Sequence, residues 1–519
     1  LRHAAVVGRR FSPDELGDLA PGKDATRPLL ALAQRGFIHP VEQDLFRFHH
    51  VLVRDVAYRG IPKSRRAELH EHAARGLDRR DGADELVGYH FEQAFRYMDQ
   101  LSRGDDHARD LATEGGQRLG RAGIRAWKRA DAPAAVNLLS RAVGLLPEAE
   151  EFACELGVAL RASGDSDRSQ EVLAAATDSS EQRIELRARI ELALGRSVIE
   201  PDTASELLEV ALSSIPTLQA EHDDRALGRA YLCVAHVKGG FYCEYGAMED
   251  SAASAVTHYI RAGWSPSTAL DYLGNALYFG PTPVPEAVDR CTRLLGEHDG
   301  DRASEANIIV WLGGLEAMRK NFSEARAHVS RAKTIYQEFG LPQGALDTCN
   351  RAFAAIDRLA GMHGQAEQAL RAACEVLQQS HQTAVLATRA GELAQSIYEQ
   401  RRYEEAEVWT RLASTSAGTD DLDAALSWQP VKAKLLARQG RIAEGERLAR
   451  ENLELVGRTD SLNRHGDAFI ALAEILGVAN RREEAEDMIR SAIGIYALKG
   501  NLASADRARA LIPDGALAE

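Results

Sequence analysis

Few residues of this chain have the type and spacing that catalysis needs. The run Gly17–Asp24 has the spacing of a phosphate-binding loop, GxxxxGK, but Asp24 stands where Ser or Thr would bind magnesium. A carboxylate there would repel the phosphates, and the run lacks the preceding strand that such a loop requires. His70, Glu71 and His72 do not form a zinc site, because residues two apart point to different sides of a helix. We therefore expect no catalytic residue, no metal and no cofactor in this chain.

Paired carboxylates occur at Glu404 with Glu405 and at Glu483 with Glu484. Both pairs come just before a small residue that recurs along the chain, at the expected start of a helix. Acidic side chains stabilise helix N-termini through the helix dipole. We interpret these pairs as helix-start residues rather than as the acid and base of a catalytic site.

Aromatic residues are concentrated between Tyr231 and Phe279, where a ligand surface is most expected. Nine of the 31 aromatic residues fall there, and the helix-breaking run Gly280–Pro285 follows directly. Aromatic side chains provide a large contact area at a small entropic cost, which suits a binding surface. The candidate residues for binding a partner or effector are Phe241, Tyr242, Tyr245, Tyr259, Trp264, Tyr272, Tyr278 and Phe279. The alternative is that these rings fill gaps where repeats of different length meet.

A small residue recurs every 34 to 43 positions through most of the chain. It is followed four positions later mostly by an aliphatic residue and seven positions later mostly by alanine, as at Ala135, Leu139 and Ala142. Such positions share one face of a helix, and small residues there let a second helix approach closely. The recurring residues are Ala135, Ser169, Ala204, Ala247, Ala287, Ala325, Ala366, Ala406, Gly445 and Ala485. The pattern predicts an all-α fold, a tetratricopeptide-like helical-hairpin superhelix of about ten hairpins.

Composition and charge limit the partners and the location of the protein. Hydrophobic residues make up 45% of the chain, and no apolar run is long enough to span a membrane. The net charge of −14 disfavours direct nucleic-acid binding, because neutralising phosphates needs clustered Lys and Arg. The six cysteines form no CxxC pair, which is typical of reduced thiols. We expect a cytoplasmic protein that binds neither a membrane nor nucleic acid.

Residues 1–75 follow a different pattern. Ser12, followed by proline, is a helix start with the serine as its cap. A second helix face stops at Gly36, and residues 37–40 and 45–48 have the composition of a short β-hairpin. Helices followed by a two-stranded hairpin predict a small winged-helix domain.

Several segments in the first third of the chain resemble STAND-type signalling ATPases. Residues 46–71, FRFHHVLVRDVAYRGIPKSRRAELHE, resemble the winged-helix end of those proteins, and residues 4–12, AAVVGRRFS, resemble its start. Residues 85–94 and 131–142 resemble the link from that domain into tetratricopeptide repeats. The chain is most similar to actinobacterial proteins in which a class III adenylate or guanylate cyclase, an AAA/NACHT-like ATPase and a repeat array follow one another.

This resemblance implies a non-catalytic regulatory or sensor module. The module would bind a protein or small-molecule effector on the concave face of the repeats and control an upstream ATPase, to which ATP and Mg²⁺ would belong. In STAND proteins a winged-helix histidine faces the nucleotide, and the resemblance assigns that role to His50, with Arg54 beside it. The alternative is that both side chains, with Asp55 and Tyr58, brace the winged helix against the next helix.

The chain has the features of one part of a longer protein. It begins without methionine and contains no Walker or cyclase motif, so we expect it to be the regulatory half. The predicted domains are a winged helix (1–75), a helical linker (76–115), repeats of about 34 residues (116–215), repeats of about 40 residues (216–500) and a capping helix with a tail (501–519). Two other functions stay open: the regulatory arm of a large ATP-binding LuxR/MalT-like transcription regulator, and a helical-toroid enzyme such as a glycosidase.

Overall fold

The computed structural model describes residues 1–20, 25–42, 44–101, 106–129, 131–338 and 343–512. It forms two compact units, Leu1–Ser180 (unit 1) and Glu181–Glu519 (unit 2). The described chain is mostly α-helical, with three short strands near the N-terminus. Of the loop-like run that begins at Gly17, residues 21–24 lie outside the described residues.

Unit 1 begins with four short helices and a three-stranded antiparallel sheet. The elements are α1 (Arg2–Val7), β1 (Arg10–Phe11), α2 (Pro13–Leu19), α3 (Thr26–Gln34), β2 (Ile38–Glu42), β3 (Leu45–Phe48) and α4 (Val51–Arg59). Strand β3 lies between β1 and β2 and pairs Phe46 with Phe11 and Phe48 with Ile38. Phe11, Ile38 and Phe48 are at most 2% exposed and form the core of this part. The predicted β-hairpin is therefore present, and the winged-helix domain stays a prediction.

Ser12 caps α2, as its position before Pro13 predicts. Its hydroxyl accepts a hydrogen bond from the backbone N–H of Glu15 at 3.2 Å, and the Glu15 carboxylate accepts one from the backbone N–H of Ser12 at 2.7 Å. Two backbone donors at the helix start are satisfied in this way.

The remainder of unit 1 consists of six helices, the last four of which form two hairpins. They are α5 (Lys63–Arg79), α6 (Asp84–Asp99), α7 (Asp106–Lys128), α8 (Ala132–Leu145), α9 (Glu150–Ala162) and α10 (Ser166–Ala176).

Unit 2 consists of eight further hairpins and a closing helix. Its helices are α11 (Gln182–Ile199), α12 (Ala204–Ala220), α13 (Asp224–Gly240), α14 (Tyr245–Arg261), α15 (Ser267–Phe279), α16 (Val284–Glu297), α17 (Arg302–Met318), α18 (Phe322–Glu338), α19 (Gln343–Leu359), α20 (His363–Gln379), α21 (Thr383–Glu399), α22 (Tyr403–Ser416), α23 (Leu422–Arg438), α24 (Ile442–Val456), α25 (Leu462–Val478), α26 (Arg482–Lys499) and α27 (Leu502–Arg509). A short 3₁₀ turn at 201–203 joins α11 to α12.

The ten recurring small residues lie on ten successive second helices of hairpins, from Ala135 on α8 to Ala485 on α26. All of them except Ala247 are buried. Ser169, Ala325 and Gly445 lie against the first helix of their own hairpin, at Gly157, Gly313 and Ala433. The helices confirm the predicted array of tetratricopeptide-like hairpins. Helix α27 lies in the segment after residue 500 where a capping helix is predicted, and its capping role stays a prediction. Residues 513–519 lie outside the described part.

Glycines on first helices allow this close approach. A Cβ atom on Gly157 would lie 2.5 Å from Cγ of Leu173, the residue four positions after Ser169. A Cβ atom on Gly313 would lie 2.8 Å from the carbonyl oxygen of Ala325. Since real Cβ atoms do not come this close, only glycine fits these positions without a shift of the second helix.

The hairpins of unit 2 form a superhelix in which hairpins far apart in the sequence contact each other. The Asp460 carboxylate accepts hydrogen bonds from the backbone N–H groups of Tyr245 and Gly246, at 2.8 and 2.7 Å. The Ser461 hydroxyl donates to the Phe279 carbonyl at 3.1 Å. These partners are 182 to 215 residues apart. Since a hairpin takes roughly 40 residues, one turn of the superhelix takes about five hairpins.

Lys499, the last residue of α26, also links the two turns. Its ammonium group donates to the carbonyls of Leu277, Gly280 and Thr282, at 2.9, 2.7 and 2.7 Å. These carbonyls lie at and just after the C-terminal end of α15, where helix carbonyls lack partners and positive charge is favourable. The Lys499 side chain is fully buried by this contact.

Candidate functional site

A cavity of about 890 Å³ lies inside unit 2. Its walls are formed mainly by the first helices of successive hairpins, from α15 to α25, and by α27. These helices are extensively buried; in α17 every residue from Ile308 to Met318 is buried. Burial around a whole helix is expected where it has neighbours on several sides. The winding of the superhelix thus brings hairpins that are distant in sequence to one cavity, which is partly open to solvent.

Aromatic rings form a large part of the cavity wall. They belong to Tyr278, Phe279, Trp311, Tyr398, Tyr403 and Tyr496. The Tyr278 and Phe279 rings meet edge to face with their centroids 4.6 Å apart, and the Trp311 ring lies 5.7 and 6.0 Å from them. Rings in this arrangement form a rigid apolar surface.

Glu392 is held in its ionised form at the cavity wall. Its carboxylate lies 2.8 Å from the Arg351 guanidinium, and both side chains are mostly buried. Burial acts to raise the pKa of Glu392, but the positive charges of Arg351, Arg389 and Arg464 outweigh burial and lower it to about 2. This pair is therefore neutral as a whole and leaves no free charge for a ligand.

Glu474 is held in the same way. It accepts a hydrogen bond from the Tyr398 hydroxyl at 2.5 Å and one from the Arg438 guanidinium at 2.8 Å. Burial acts to raise the pKa of Glu474, but Lys434, Tyr398 and Arg438 together keep it below its usual value. A carboxylate with two such donors is fixed in position and charge.

Lys434 lies in the cavity wall without a carboxylate partner. It is 5% exposed, donates to the side-chain oxygen of Gln395 at 2.8 Å and lies 4.3 Å from the centroid of the Tyr398 ring. Burial lowers the pKa of Lys434; the charges of Glu474, Glu399 and Asp467 oppose this shift, and that of Arg358 adds to it. The side chain forms no ion pair with a described residue, so its charge is only partly compensated.

Basic side chains outnumber acidic ones around the cavity by eight to five, although the whole chain has a net charge of −14. Five of the eight form no ion pair with any residue in the described ranges: Lys434, Arg358, Arg401, Arg482 and Arg507. Among the described residues, the Arg507 guanidinium donates a hydrogen bond to the Arg358 carbonyl at 2.9 Å. The residues that line the cavity therefore carry a net positive charge, whereas the whole chain carries a net negative charge.

The structure brings two of the eight predicted aromatic residues, Tyr278 and Phe279, to the cavity. The other six pack between hairpins α11 to α16 or at their edges. Tyr245 and Tyr259 are 3% and 6% exposed, and the Tyr272 hydroxyl lies 3.0 Å from Nδ1 of His236. The remaining three are Phe241, which is buried, and Tyr242 and Trp264, which are half-buried. Their role in binding stays a prediction.

His50 and Arg54 lie one turn apart at the start of α4. His50 is exposed and caps the helix, with Nδ1 accepting a hydrogen bond from the backbone N–H of Leu52 at 3.1 Å. The Arg54 guanidinium lies 3.3 Å from Asp55 and 5.8 Å from the centroid of the Tyr58 ring. Nε of Arg54 is buried and has no hydrogen-bond partner among the described residues. These contacts agree with a bracing role, and a role in nucleotide sensing stays a prediction.

No residue group in the described ranges marks a metal centre or a membrane segment. No three His, Cys, Asp or Glu side chains there are grouped closely enough to hold a metal ion. No helix there has both the length and the apolar character needed to cross a bilayer.

The chain has a helical-repeat fold of tetratricopeptide-like type, and the solved structures that resemble it have this architecture as well. One is a Signal Transduction ATPase with Numerous Domains (STAND) protein with a tetratricopeptide repeat sensor from Pyrococcus horikoshii. It shares 12% identity and a TM-score of 0.35, over 98% of this chain and 65% of that one. This chain therefore spans less than two thirds of the length of that STAND protein.

Two further similar structures are yeast Tom70 and a Rap protein complexed with competence and sporulation factor. Tom70 has 11% identity and a TM-score of 0.32, over 87% of this chain and 97% of that one. The Rap protein has 14% identity and a TM-score of 0.35, over 70% and 96%. No protein-family model and no curated protein sequence matches this chain.

Proposed function

We propose that this chain is a non-catalytic regulatory module of STAND type. Unit 2 binds a protein segment or small effector in its inner cavity, and unit 1 passes the change to an ATPase that lies upstream or on another chain. The observation that carries the proposal is the cavity of about 890 Å³ between sequence-distant hairpins, which is partly open to solvent. This volume is in the range of ligand sites. A ligand there touches several hairpins at once, so it favours one winding of the superhelix over another.

The ionisation of the cavity carboxylates supports binding rather than hydrolysis. A glycosidase needs one protonated and one ionised carboxyl group on either side of the bond that it cleaves. Glu392 and Glu474 instead both have lowered pKa values. Arg351, Arg389 and Arg464 lower the pKa of Glu392, and Lys434, Tyr398 and Arg438 lower that of Glu474. Neither is suited to act as the general acid.

The surface of α4 supports an output through unit 1. Leu52 and Val56, four positions apart on this helix, are 62% and 71% exposed. They lie beside His50, the residue to which the resemblance assigns contact with the nucleotide of the ATPase. An exposed apolar pair next to that residue suits the packing of an adjoining domain.

The coupling is tested in a longer protein that joins this chain to an upstream STAND-type ATPase domain. Ala355 is half-buried, lines the cavity and shares a face of α19 with Arg358, so Ala355→Trp fills part of the cavity. We expect this variant to change the rate of ATP hydrolysis or its response to the effector. Val408→Trp is the matched control, because Val408 is 61% exposed on α22 and does not line the cavity. Identical rates in both variants and the wild type would contradict the proposal.

A further inference from the structure

Three cations of the cavity, Lys434, Arg358 and Arg507, lie close to one another. Lys434 is 5% exposed, Arg358 is half-buried, and Arg507, which is exposed, donates a side-chain hydrogen bond to the Arg358 carbonyl. None of the three forms an ion pair with a described residue. Glu474, Glu399 and Asp467 stabilise the Lys434 ammonium from a distance, but none forms an ion pair with it. A buried cation without a direct carboxylate contact is stabilised further when an anion binds beside it.

The acidic side chains near these cations already have donors of their own. Glu474 accepts hydrogen bonds from Tyr398 and Arg438. Asp467 accepts one from the Tyr496 hydroxyl at 2.5 Å, and Glu399 accepts one from the Gln395 amide at 2.5 Å. These three carboxylates offset part of the charge of Lys434 from a distance, and the remaining positive charge of the cluster is available to a ligand.

The size and the apolar wall of the cavity define the rest of the ligand. An inorganic ion would fill only a small part of about 890 Å³ and would not contact the surface that Tyr278, Phe279 and Trp311 present to the cavity. Cavities of this size bury most of the surface of a small organic molecule, with a few polar groups fixing its orientation.

We propose that the cavity binds an organic anion with an aromatic or apolar body, whose charged group lies beside Lys434 and Arg358 and whose body lies against the aromatic wall. This inference rests on the proposed function, because it specifies the ligand class of the same cavity. Sulfonates, carboxylates and phosphates share the required chemistry, since each accepts hydrogen bonds from ammonium and guanidinium groups.

Two fluorescent probes that differ in charge test the inference on the full chain. The anion is 8-anilinonaphthalene-1-sulfonate, and its neutral counterpart is N-phenyl-1-naphthylamine, which lacks the sulfonate. Lys434→Met removes the charge and keeps an apolar side chain of similar length. We expect it to weaken binding of the anion about tenfold, the usual effect of losing one charged hydrogen bond, while neutral-probe binding changes less than about twofold.

Lys432→Met is the matched control for the charge. It lies on the same helix, α23, but outside the cavity, where its ammonium group lies 3.3 Å from Glu407. We expect this variant to bind both probes as the wild type does. Equal weakening by the two lysine variants, or no weakening by Lys434→Met, would overturn the inference.

Ala355→Trp separates failure of the inference from failure of the proposed function. If the cavity is the binding site, this variant weakens binding of both probes. Probe binding that is sensitive to Ala355→Trp but not to Lys434→Met would overturn the choice of an anion and leave the cavity as the site. Binding that is insensitive to Ala355→Trp would overturn the cavity itself, and with it the proposed function. Competition experiments then show which anionic group is preferred. In them, 2-naphthoate or 2-naphthyl phosphate displaces the anionic probe 8-anilinonaphthalene-1-sulfonate, and 2-naphthol is the neutral reference.

Discussion

At the scale of single residues, the buried pair of His70 and His90 makes unit 1 sensitive to acid. Their Nδ1 atoms lie 2.8 Å apart, and Nε2 of His70 lies 2.8 Å from the Tyr58 hydroxyl. Burial lowers the pKa of His70 to about 3, with His90 adding to the shift, and lowers that of His90 to about 4. Because an unfolded histidine titrates near 6.5, the unfolded state takes up protons first as the pH falls. The stability contribution is complete above about pH 6.5 and is lost progressively towards pH 4.

We expect unit 1 to lose up to about 1.4 kcal/mol of unfolding free energy per histidine for each pH unit below 6.5. Amide exchange of α5 and α6, corrected for the intrinsic effect of pH and compared at pH 7 and pH 5.5, measures this loss. His90→Gln removes one titrating group, so its pH dependence should be about half that of the wild type. Equal protection of these helices at both pH values would show that the two histidines are not held neutral.

The two lysines of α23 show what single residues in a sequence do not reveal. Lys432 and Lys434 stand two positions apart among similar neighbours, and both are typical of a solvated helix face. In the structure Lys432 pairs with Glu407, whereas Lys434 lines the cavity. The difference depends on which side of the helix faces the other turn of the superhelix. The aromatic residues between Tyr231 and Phe279 indicated a part of the cavity wall in advance, since Tyr278 and Phe279 line the cavity.

At the scale of elements, the hairpin array was predictable because its cause is local. A small residue such as Ala325 recurs wherever a second helix packs on a first one, whatever lies elsewhere in the chain. The cap at Ser12 was predictable for the same reason, since it depends on Glu15 only three residues away. Local sequence therefore predicts the fold class and the hairpins, which the structure confirms.

Gly313→Ala tests the close packing of one hairpin. The added Cβ would lie 2.8 Å from the Ala325 carbonyl oxygen and 2.9 Å from Cγ2 of Val329, both on α18. We expect urea unfolding to show a loss of about 1–3 kcal/mol, the usual cost of overpacking. Gly296→Ala on α16 is the control, because Gly296 is exposed and a Cβ there meets nothing within 4 Å. Replacing an exposed helical glycine should stabilise by about 0.5–1 kcal/mol, so a loss of equal size in both variants would argue against steric overlap.

At the scale of the whole superhelix of unit 2, the contacts between turns could not be predicted from the sequence. They arise from small rotations added over several hairpins, and no local pattern encodes their sum. Asp460 looks like an ordinary loop residue, yet it caps the start of α14, 215 residues earlier in the chain. The cavity depends on the same winding, which explains why its charged residues gave no signal in the sequence.

These long-range contacts predict that unit 2 loses stability as a whole when one of them is removed. In Lys499→Met, the carbonyls of Leu277, Gly280 and Thr282 lose their buried donor, which should cost about 2–4 kcal/mol. In an open array, where each repeat stabilises only its neighbours, faster amide exchange would stay near α26. In the wound superhelix, exchange should also rise in α13 and α14, more than 200 residues earlier.

Lys320→Met is the control, because it removes only an exposed ion pair with Asp506 and should leave exchange unchanged. Faster exchange confined to α26 and α27 in Lys499→Met would show that the two turns do not stabilise each other.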